Sequence, residues 1–356
     1  MGRMRALTIR AGGRARARLR EGGIHAEDVA ILVGASGGPK WLVLNGLDRY
    51  LFGELFSGRE QPLHAMGSSI GCWRAACFAQ PDPLAALDRF EEAYITQAYP
   101  PKPPPDLISA RSREILRELL GPDGAESIVS HPWLVTHVLT TRCRRLPGID
   151  DRRAQAALLG VGALLNAVDR RLMGLPFERV IWSGEPDWSP LRQLRDLPTR
   201  RLELTRDNVE DALMATASIP LVLAPVQQPA GGPRGPYLDG GVVDYHPGFD
   251  LSQAGGLVLY PHFFDRLTPA WFDKPFTWRR PPAAALEDVV LVAPSPAFVA
   301  GLPGGKIPDR TDFQHMADGE RIRVWREVVR RSRALAEDFV ELVEGGRVSE
   351  GIGALG

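Results

Sequence analysis

The sequence has few cysteines, no excess of charge of either sign and no long apolar run. Its three cysteines, Cys72, Cys77 and Cys143, cannot all pair, and none has Cys-x-x-Cys spacing, so a reducing, cytoplasmic compartment is expected. The 43 basic residues balance the 43 acidic residues, which gives no reason to expect a nucleic-acid partner. No run approaches the roughly 18 to 20 apolar residues that span a bilayer. No histidine spacing is typical of metal ligands, so neither a metal nor a cofactor is predicted.

The rest of the composition fits a globular protein with one large core. The chain has 356 residues, of which 44% are hydrophobic and 24% charged, as is usual for a folded domain.

An apolar run at 29–35 predicts a buried parallel strand, and a helix is expected from Pro39. A second strand at 63–67 and a second helix at 70–80 complete an alternation typical of α/β layer folds. Further predicted strands cover 137–143, 179–185, 255–262 and 287–295, and further predicted helices cover 110–121, 155–174 and 316–346, the last stopped by Gly345 and Gly346.

Two stretches have the spacing Gly-x-Ser-x-Gly, which can present a nucleophilic serine on a sharp turn. In GSSIG (67–71), Ser69 follows a predicted strand and comes directly before a helix that no proline interrupts. The flanking Gly67 and Gly71 leave room where strand and helix crowd together, and the helix start directs its N–H groups at a developing oxyanion. Ser69 is therefore the predicted nucleophile.

The other stretch, GASGG (34–38), meets these requirements less well because its helix is expected to begin only at Pro39. Gly37 and Gly38 would form a loose loop of bare backbone amides at a helix start, an architecture that binds anions. This loop is predicted to be an oxyanion hole, in which each well-aimed donor contributes roughly 3–4 kcal/mol.

A nucleophilic serine needs a base, and the downstream residues leave two possibilities. Asp239 follows an apolar approach and precedes Gly-Gly, which permits a sharp turn with an exposed carboxylate and is the stronger signal. His246 and His262 both lie beside predicted loops, and either would suit an α/β-hydrolase esterase with a Ser-His-Asp triad.

These motifs, taken in order, resemble the patatin-like phospholipases. A glycine-rich loop follows the first strand, Gly-x-Ser-x-Gly comes about 30 residues later, and Asp-Gly-Gly lies far downstream. The segment ALMATASIPLVLAPV (212–226) is similar to that family's Ala-Ser-x-x-Pro segment, and the resemblance covers roughly residues 29–250. It implies an α/β three-layer sandwich with a mostly parallel central sheet flanked by helices, and a serine acyl hydrolase that cleaves lipid esters.

The resemblance also implies roles for single residues. Ser69 matches the nucleophile and Asp239 the base of a Ser-Asp dyad, while Gly37, Gly38 and Lys40 fall on the family's Gly-Gly-Gly-x-Lys/Arg-Gly oxyanion loop.

The oxyanion loop departs from the family pattern at three positions. Ser36 replaces its first glycine, Trp41 replaces its last, and Pro39 supplies no N–H. The hole must therefore rely on neighbouring amides, and Trp41 is expected either to crowd the helix start or to contribute to the acyl pocket.

A patatin-like catalytic domain is expected over residues 27–300, between two flanking segments. Residues 1–26 are basic, and their alternation about Ala-Gly-Gly predicts a hairpin or strand pair, either as a solvated edge or as a patch that attracts anionic lipid. Residues 301–356 are expected to form a loop and an amphipathic helix packed on the same domain. The proline-rich stretch 98–106 predicts an irregular connector that could act as a hinge or lid edge.

The expected partner is a lipid or small ester substrate, with no prediction of oligomeric state. The segment 260–280 is expected to be either core or a lipid-facing lid with peripheral membrane contact, because it gathers Phe263, Phe264, Trp271, Phe272, Phe276 and Trp278. Two other functions stay open. GASGGPK could cradle a nucleotide phosphate, although Trp41 stands where a P-loop has Ser or Thr. The chain could also be a non-catalytic lipid-binding or partner-binding member of the family.

Overall fold

The structure is a computed structural model that describes residues 5–144, 152–344 and 352–355. The predicted helix stop at Gly345 and Gly346 lies outside these residues, as do the first four residues of the basic N-terminal segment. No helix in the described part of the chain is both long and apolar enough to cross a membrane.

A single large mixed sheet organises the molecule. Its strands run in the order β11-β1-β10-β9-β2-β3-β4-β5-β6, and β8 pairs with both β4 and β7. The strands are β1 (Leu7–Ala11), β2 (Val29–Gly34), β3 (Leu63–Ser68), β4 (Leu134–Cys143), β5 (Phe177–Ser183), β6 (Thr199–Glu203), β7 (Val226–Gln227), β8 (Pro236–Asp239), β9 (Leu257–Pro261), β10 (Val289–Pro294) and β11 (Gly353–Ala354).

Helices occupy most of the connections between these strands. The α-helices are α1 (Gly13–Gly22), α2 (Asn45–Tyr50), α3 (Ile70–Phe78), α4 (Pro83–Thr96), α5 (Pro105–Leu120), α6 (Gly124–Val129), α7 (Arg152–Val168), α8 (Ser189–Arg192), α9 (Val209–Thr216), α10 (Gly241–Asp244), α11 (Pro296–Ala300), α12 (Asp312–His315) and α13 (Asp318–Glu344). A 3₁₀ segment, Gly38–Leu44, joins β2 to α2.

The central strands are buried on both faces of the sheet. Every residue of β3, β5 and β10 is buried. Because successive side chains of a strand point to opposite faces, this burial means that both faces of the sheet are covered. Parallel pairing joins β2 to β3, β3 to β4 and β9 to β10, as expected for strands connected through helices. The predicted α/β fold with a mostly parallel sheet is confirmed.

The basic N-terminal segment differs from the predicted hairpin. Its first strand, β1, exists and pairs with β10 and β11, but residues 13–22 form the helix α1 in place of a second strand. The buried residues of α1, Ala15 and Leu19, are four positions apart and so lie on one helix face. Alanine and arginine are also strong helix formers, which explains why an apparent two-residue alternation folds as a helix.

The C-terminal helix α13 packs against α2 and against the 38–44 segment. Trp325, Leu335 and Phe339 are fully buried in this contact region, and the Gly46 N–H donates to Ser332 Oγ over 2.8 Å. Helix α13 therefore helps to fix the chain that follows β2. The division of the chain at residues 26 and 300 stays a prediction.

Candidate active site

Three chain segments meet at one edge of the sheet because of how β4 is paired. On one side β4 pairs with β3 along its first part and with β8 along its second part, so that Ser68 lies opposite Leu139 and Asp239 lies opposite Thr140. The end of β3 and the end of β8 therefore abut. Strand β2 runs parallel to β3 with Gly34 opposite Gly67, which brings the loop after β2 to the same edge.

Ser69 occupies a sharp turn between β3 and α3. Its backbone has φ 55° and ψ −131°, a strained conformation for a residue with a side chain, and such strain concentrates at functional sites. The Ser69 N–H donates to Thr216 Oγ1 over 2.8 Å, and Thr216 Oγ1 in turn donates to the Leu139 carbonyl. These bonds hold the turn in place.

Gly71 is required by the close approach of α3 to β2. A Cβ at this position would lie 2.3 Å from the Gly34 carbonyl carbon, and a Cβ at Gly67 would lie 2.8 Å from the Gly34 oxygen. The two flanking glycines therefore have the packing role that the spacing predicts.

Ser69 and Asp239, 170 positions apart in the chain, are in direct contact. Ser69 Oγ donates to Asp239 Oδ2 over 2.7 Å, and both residues are buried. Asp239 Oδ1 accepts the Gly241 N–H at 2.7 Å. Burial raises the pKa of Asp239 to about 6, although the hydrogen bonds from Ser69 and Gly241 oppose this shift.

Ser36, the serine of the other motif, lies beside this pair but is engaged elsewhere. Its Oγ lies 2.9 Å from Ser68 Oγ and 3.4 Å from Asp239 Oδ1. Ser68 Oγ donates to the Asp244 carbonyl over 2.6 Å. Ser36 is thus a buried member of a hydroxyl chain that braces Asp239 from the side opposite Ser69.

The loop after β2 presents bare amides to this pair. Among the described residues, neither the Gly37 N–H nor the Gly38 N–H has a hydrogen-bond partner, and both residues line a pocket together with Lys40, Ser69 and Asp239. Gly38 has φ 55°, a conformation that favours glycine.

Trp41 does not line the pocket. It is fully buried, stacks on Phe90 with ring centroids 4.5 Å apart and meets the edge of Tyr94 at 5.8 Å. The expectation that it contributes to an acyl pocket is therefore wrong, because the 3₁₀ segment turns its ring into the core.

The pocket itself is small, about 60 Å³. Sequence reasoning missed several of its residues. Ile219 and Pro220 lie inside the family-like segment 212–226, Val242 and Tyr245 closely follow Asp239, and Lys274 and Arg310 come from more distant segments. Lys274 and Arg310 lie outside every motif, so no local signal in the sequence could have identified them. Thr216, which supports the turn, lies inside the family-like segment 212–226 and could have been flagged there.

Neither candidate histidine reaches the serine. His246 Nδ1 accepts the Thr268 N–H at 2.9 Å, and His262 Nδ1 accepts the Phe264 N–H at 2.8 Å. Both residues are fully buried, which lowers the pKa of His246 and lowers that of His262 to about 3. Neither lines the pocket, so they act as neutral core residues.

The aromatic segment 260–280 divides between core and surface. Phe263 is buried and packs against Gly37, where an added Cβ would lie 2.4 Å from its ring. Trp271 lines the pocket and is partly exposed, whereas Trp278 is 72% exposed. The expectation of core packing therefore holds for Phe263, whereas a lipid-facing role for the exposed residues stays a prediction.

Comparisons with known proteins identify one family. A family model described as patatin-like phospholipase matches residues 42–248, which is more than half of the chain. No curated protein gave a significant match. Among solved structures, VipD from Legionella pneumophila aligns with a TM-score of 0.33 and 14% identity, covering 75% of this chain. The alignment spans 55% of the VipD chain, and a likeness of this extent establishes neither a shared substrate nor a shared mechanism.

Proposed function

Since the chain belongs to the patatin-like phospholipase family of lipid acyl hydrolases, we propose that it is a serine hydrolase that cleaves carboxylic esters of lipids with a Ser69–Asp239 dyad. The observation that carries the proposal is the 2.7 Å hydrogen bond from Ser69 Oγ to Asp239 Oδ2. It occurs beside two amides that have no partner among the described residues, which is the arrangement that acyl transfer needs.

In the proposed first step, Ser69 Oγ attacks the ester carbonyl while Asp239 accepts the hydroxyl proton. A base works best when its pKa is near the operating pH. The raised pKa of about 6 leaves Asp239 ionised at neutral pH, yet makes it a better proton acceptor than an ordinary aspartate. The proton then passes from Asp239 to the leaving alcohol, which gives an acyl-serine.

The negative charge on the carbonyl oxygen would be stabilised by the Gly37 and Gly38 N–H groups. Pro39 cannot contribute, and the Ser69 N–H already donates to Thr216 Oγ1, so these two amides would carry the stabilisation. Water then attacks the acyl-serine as Asp239 takes its proton, and proton return to Ser69 Oγ releases the acid and restores the enzyme.

Serine substitutions test the dyad directly. We expect Ser69→Ala and Asp239→Asn each to lower ester hydrolysis by at least about a thousandfold, as is usual for groups that act as one unit, and Ser69→Ala to abolish labelling by a fluorophosphonate. Ser36→Ala is the matched control, since it removes the other hydroxyl beside Asp239. Full activity in Ser69→Ala with loss in Ser36→Ala would reverse the assignment.

The same assay separates the dyad from a histidine-dependent esterase. His262→Asn should keep the rate within about threefold, provided that the variant folds, because Asp239 and not a histidine accepts the proton. A loss as large as that of Ser69→Ala in a correctly folded variant would favour a Ser-His-Asp triad.

We also propose that the surface formed by Trp278 and the exposed α7 residues Leu164 and Val168 contacts an anionic lipid surface. Trp278 is close to the exposed Arg280, while Arg279 is ion-paired with Asp273 over 2.9 Å. The α7 residues Leu164 and Val168 are 72% and 79% exposed. The Arg279 guanidinium donates to the Asn166 carbonyl at 2.6 Å, so the two exposed apolar sites belong to adjoining elements. Aromatic and apolar groups beside arginines suit a membrane interface.

Vesicle co-sedimentation tests this contact. On vesicles that contain phosphatidylserine, Trp278→Ala combined with Leu164→Ala should lower the bound fraction several-fold, whereas Val129→Ala, which also removes exposed apolar surface, should not. Unchanged binding of the double variant would rule out this surface.

A further inference from the structure

The candidate pocket carries an excess of positive charge. Three cationic side chains line it, Lys40, Lys274 and Arg310, against the single carboxylate of Asp239. That carboxylate already accepts hydrogen bonds from Ser69 and Gly241. Lys274 and Arg310 lie beyond residues 42–248, the part of the chain matched by the family model, whereas Lys40 stands at the Lys/Arg position of the family-like amide loop.

None of the three cations is neutralised by an ion pair within the described residues. The nearby acidic groups are occupied, since Lys306 Nζ lies 2.6 Å from Asp312 Oδ1 and 3.4 Å from Asp309 Oδ2. Asp309 also accepts the Thr311 N–H at 2.7 Å. Lys274 Nζ instead lies 4.2 Å from the centre of the Tyr245 ring and 5.5 Å from that of Trp271.

The cations are close enough to one another to repel. Burial, together with Arg310 and Lys40, lowers the pKa of Lys274 to about 7. Burial also lowers the pKa of Lys40. The charge of Arg310 adds to this lowering, and the charge of Asp309 opposes it. The Arg310 side chain packs against the amide loop, with its Cγ 3.5 Å from the position of a Cβ on Gly38. An anion placed between these groups would relieve the repulsion.

We infer that Lys40, Lys274 and Arg310 form a subsite for an anionic group, a phosphate or a carboxylate, that lies near the scissile ester of the substrate. The inference rests on the proposed ester hydrolysis and narrows it to esters that carry a negative charge close to the reacting carbonyl. Arg310 is exposed at the rim and Lys40 is partly buried, while the Lys274 ammonium group lies over the Tyr245 ring. The cavity of about 60 Å³ holds only about two water molecules. The anion therefore binds at the mouth and the ester carbonyl beneath it.

Binding without turnover is the first test. In Ser69→Ala, which cannot form the acyl-serine, glycerol 3-phosphate should raise the melting temperature, and Lys274→Met or Arg310→Gln added to that variant should remove the shift. If inorganic phosphate also raises the melting temperature, the subsite binds any small phosphate. If only glycerol 3-phosphate raises it, the subsite recognises the phosphate of a lipid headgroup. Absence of stabilisation by either would contradict the inference, whatever the outcome of the hydrolysis assays.

Substrate preference is the second test. The wild-type enzyme should favour a 1-acylglycerol 3-phosphate over the monoacylglycerol with the same chain, in kcat/KM and mainly through KM. Lys274→Met and Arg310→Gln should each lower that preference about tenfold, the factor lost with one well-placed charge partner. Arg266→Gln is the matched control, since Arg266 is an exposed arginine of the same region that does not line the pocket.

The outcomes distinguish the two proposals. Two results would overturn the anion subsite and leave the proposed ester hydrolysis unaffected. One is an equal kcat/KM for both esters in the wild type, and the other is an equal loss of kcat/KM on both esters in Lys274→Met and Arg310→Gln. Hydrolysis of neither ester would instead count against the proposed function, and the binding test would then decide the subsite alone.

Discussion

Replacement of Asp239 by asparagine should make the protein more stable at neutral pH. The carboxylate is buried and has a pKa raised from 3.8 to about 6, so the folded state disfavours its ionised form. Asparagine keeps an oxygen that can accept the Gly241 N–H, but it carries no charge. As the proposed base, Asp239 would cost stability for the sake of its chemistry, as active-site groups often do.

The magnitude follows from the size of the pKa shift. A shift of about 2 units at about 1.4 kcal/mol per unit amounts to about 3 kcal/mol. Because the folded-state pKa lies above the unfolded-state value, the penalty is absent below pH of about 4, grows between about 4 and 6, and is constant above that range. At an unfolding entropy of about 2.1 cal/mol/K per residue, 3 kcal/mol corresponds to about 4 °C in melting temperature.

Melting curves of the wild type and Asp239→Asn between pH 4 and pH 8 measure this effect. The difference in melting temperature should be near zero at pH 4 and reach its full value by pH 7. Asp309→Asn is an informative control, since hydrogen bonds from Thr311 and the charge of Lys306 lower the pKa of that carboxyl and its pH trend should have the opposite sign. A difference that does not change with pH, or a less stable Asp239→Asn at pH 8, would refute the reasoning.

Three further predictions concern rate and packing. Ester hydrolysis should rise with pH through about 6 and level off above it, because Asp239 must be ionised to accept the proton; a rate independent of pH between 5 and 7 would exclude it as the base. Gly71→Ala should prevent folding or lower the melting temperature strongly, whereas Gly160→Ala, at an open helical position, should stabilise by about 0.5–1 kcal/mol. Arg179→Met should destabilise by about 3–5 kcal/mol in denaturant titration, because it leaves the Asp244 carboxylate buried without its main partner. A smaller loss would mean that water reaches Asp244.

Much of the fold could be predicted because its strands are short apolar runs bounded by turn residues. The predicted strand at 137–143 is the second part of β4, and the one at 287–295 contains β10. The prediction of an N-terminal hairpin was wrong because arginine and alanine suit a helix as well as a strand edge. Helix α4 was missed although its start has a local signal, since the Asp82 side chain caps it and Pro83 follows. The antiparallel pairing of β1 with β10 has no local signal, because it depends on which sheet edge remains to be covered.

The residues of the candidate site also divide into those that the sequence predicts and those that it does not. The contact between Ser69 and Asp239 could be predicted because each residue lies in a motif that constrains the backbone as well as the side chain. Lys274 and Arg310 could not, because a cation at a pocket rim needs only a position in space and any loop can supply it. Of the two alternatives for Trp41, the acyl-pocket role failed for a related reason: its neighbours in sequence line the pocket, but one 3₁₀ turn is enough to direct its side chain into the core.

The packing of α13 against the 38–44 segment has a consequence during synthesis of the protein. The amide loop precedes the helix that supports it by nearly the whole length of the chain. A ribosome-bound chain that already contains both Ser69 and Asp239 still lacks that support until residues 318–344 have emerged. The proposed ester hydrolysis should therefore begin only after residues 318–344 have been synthesised.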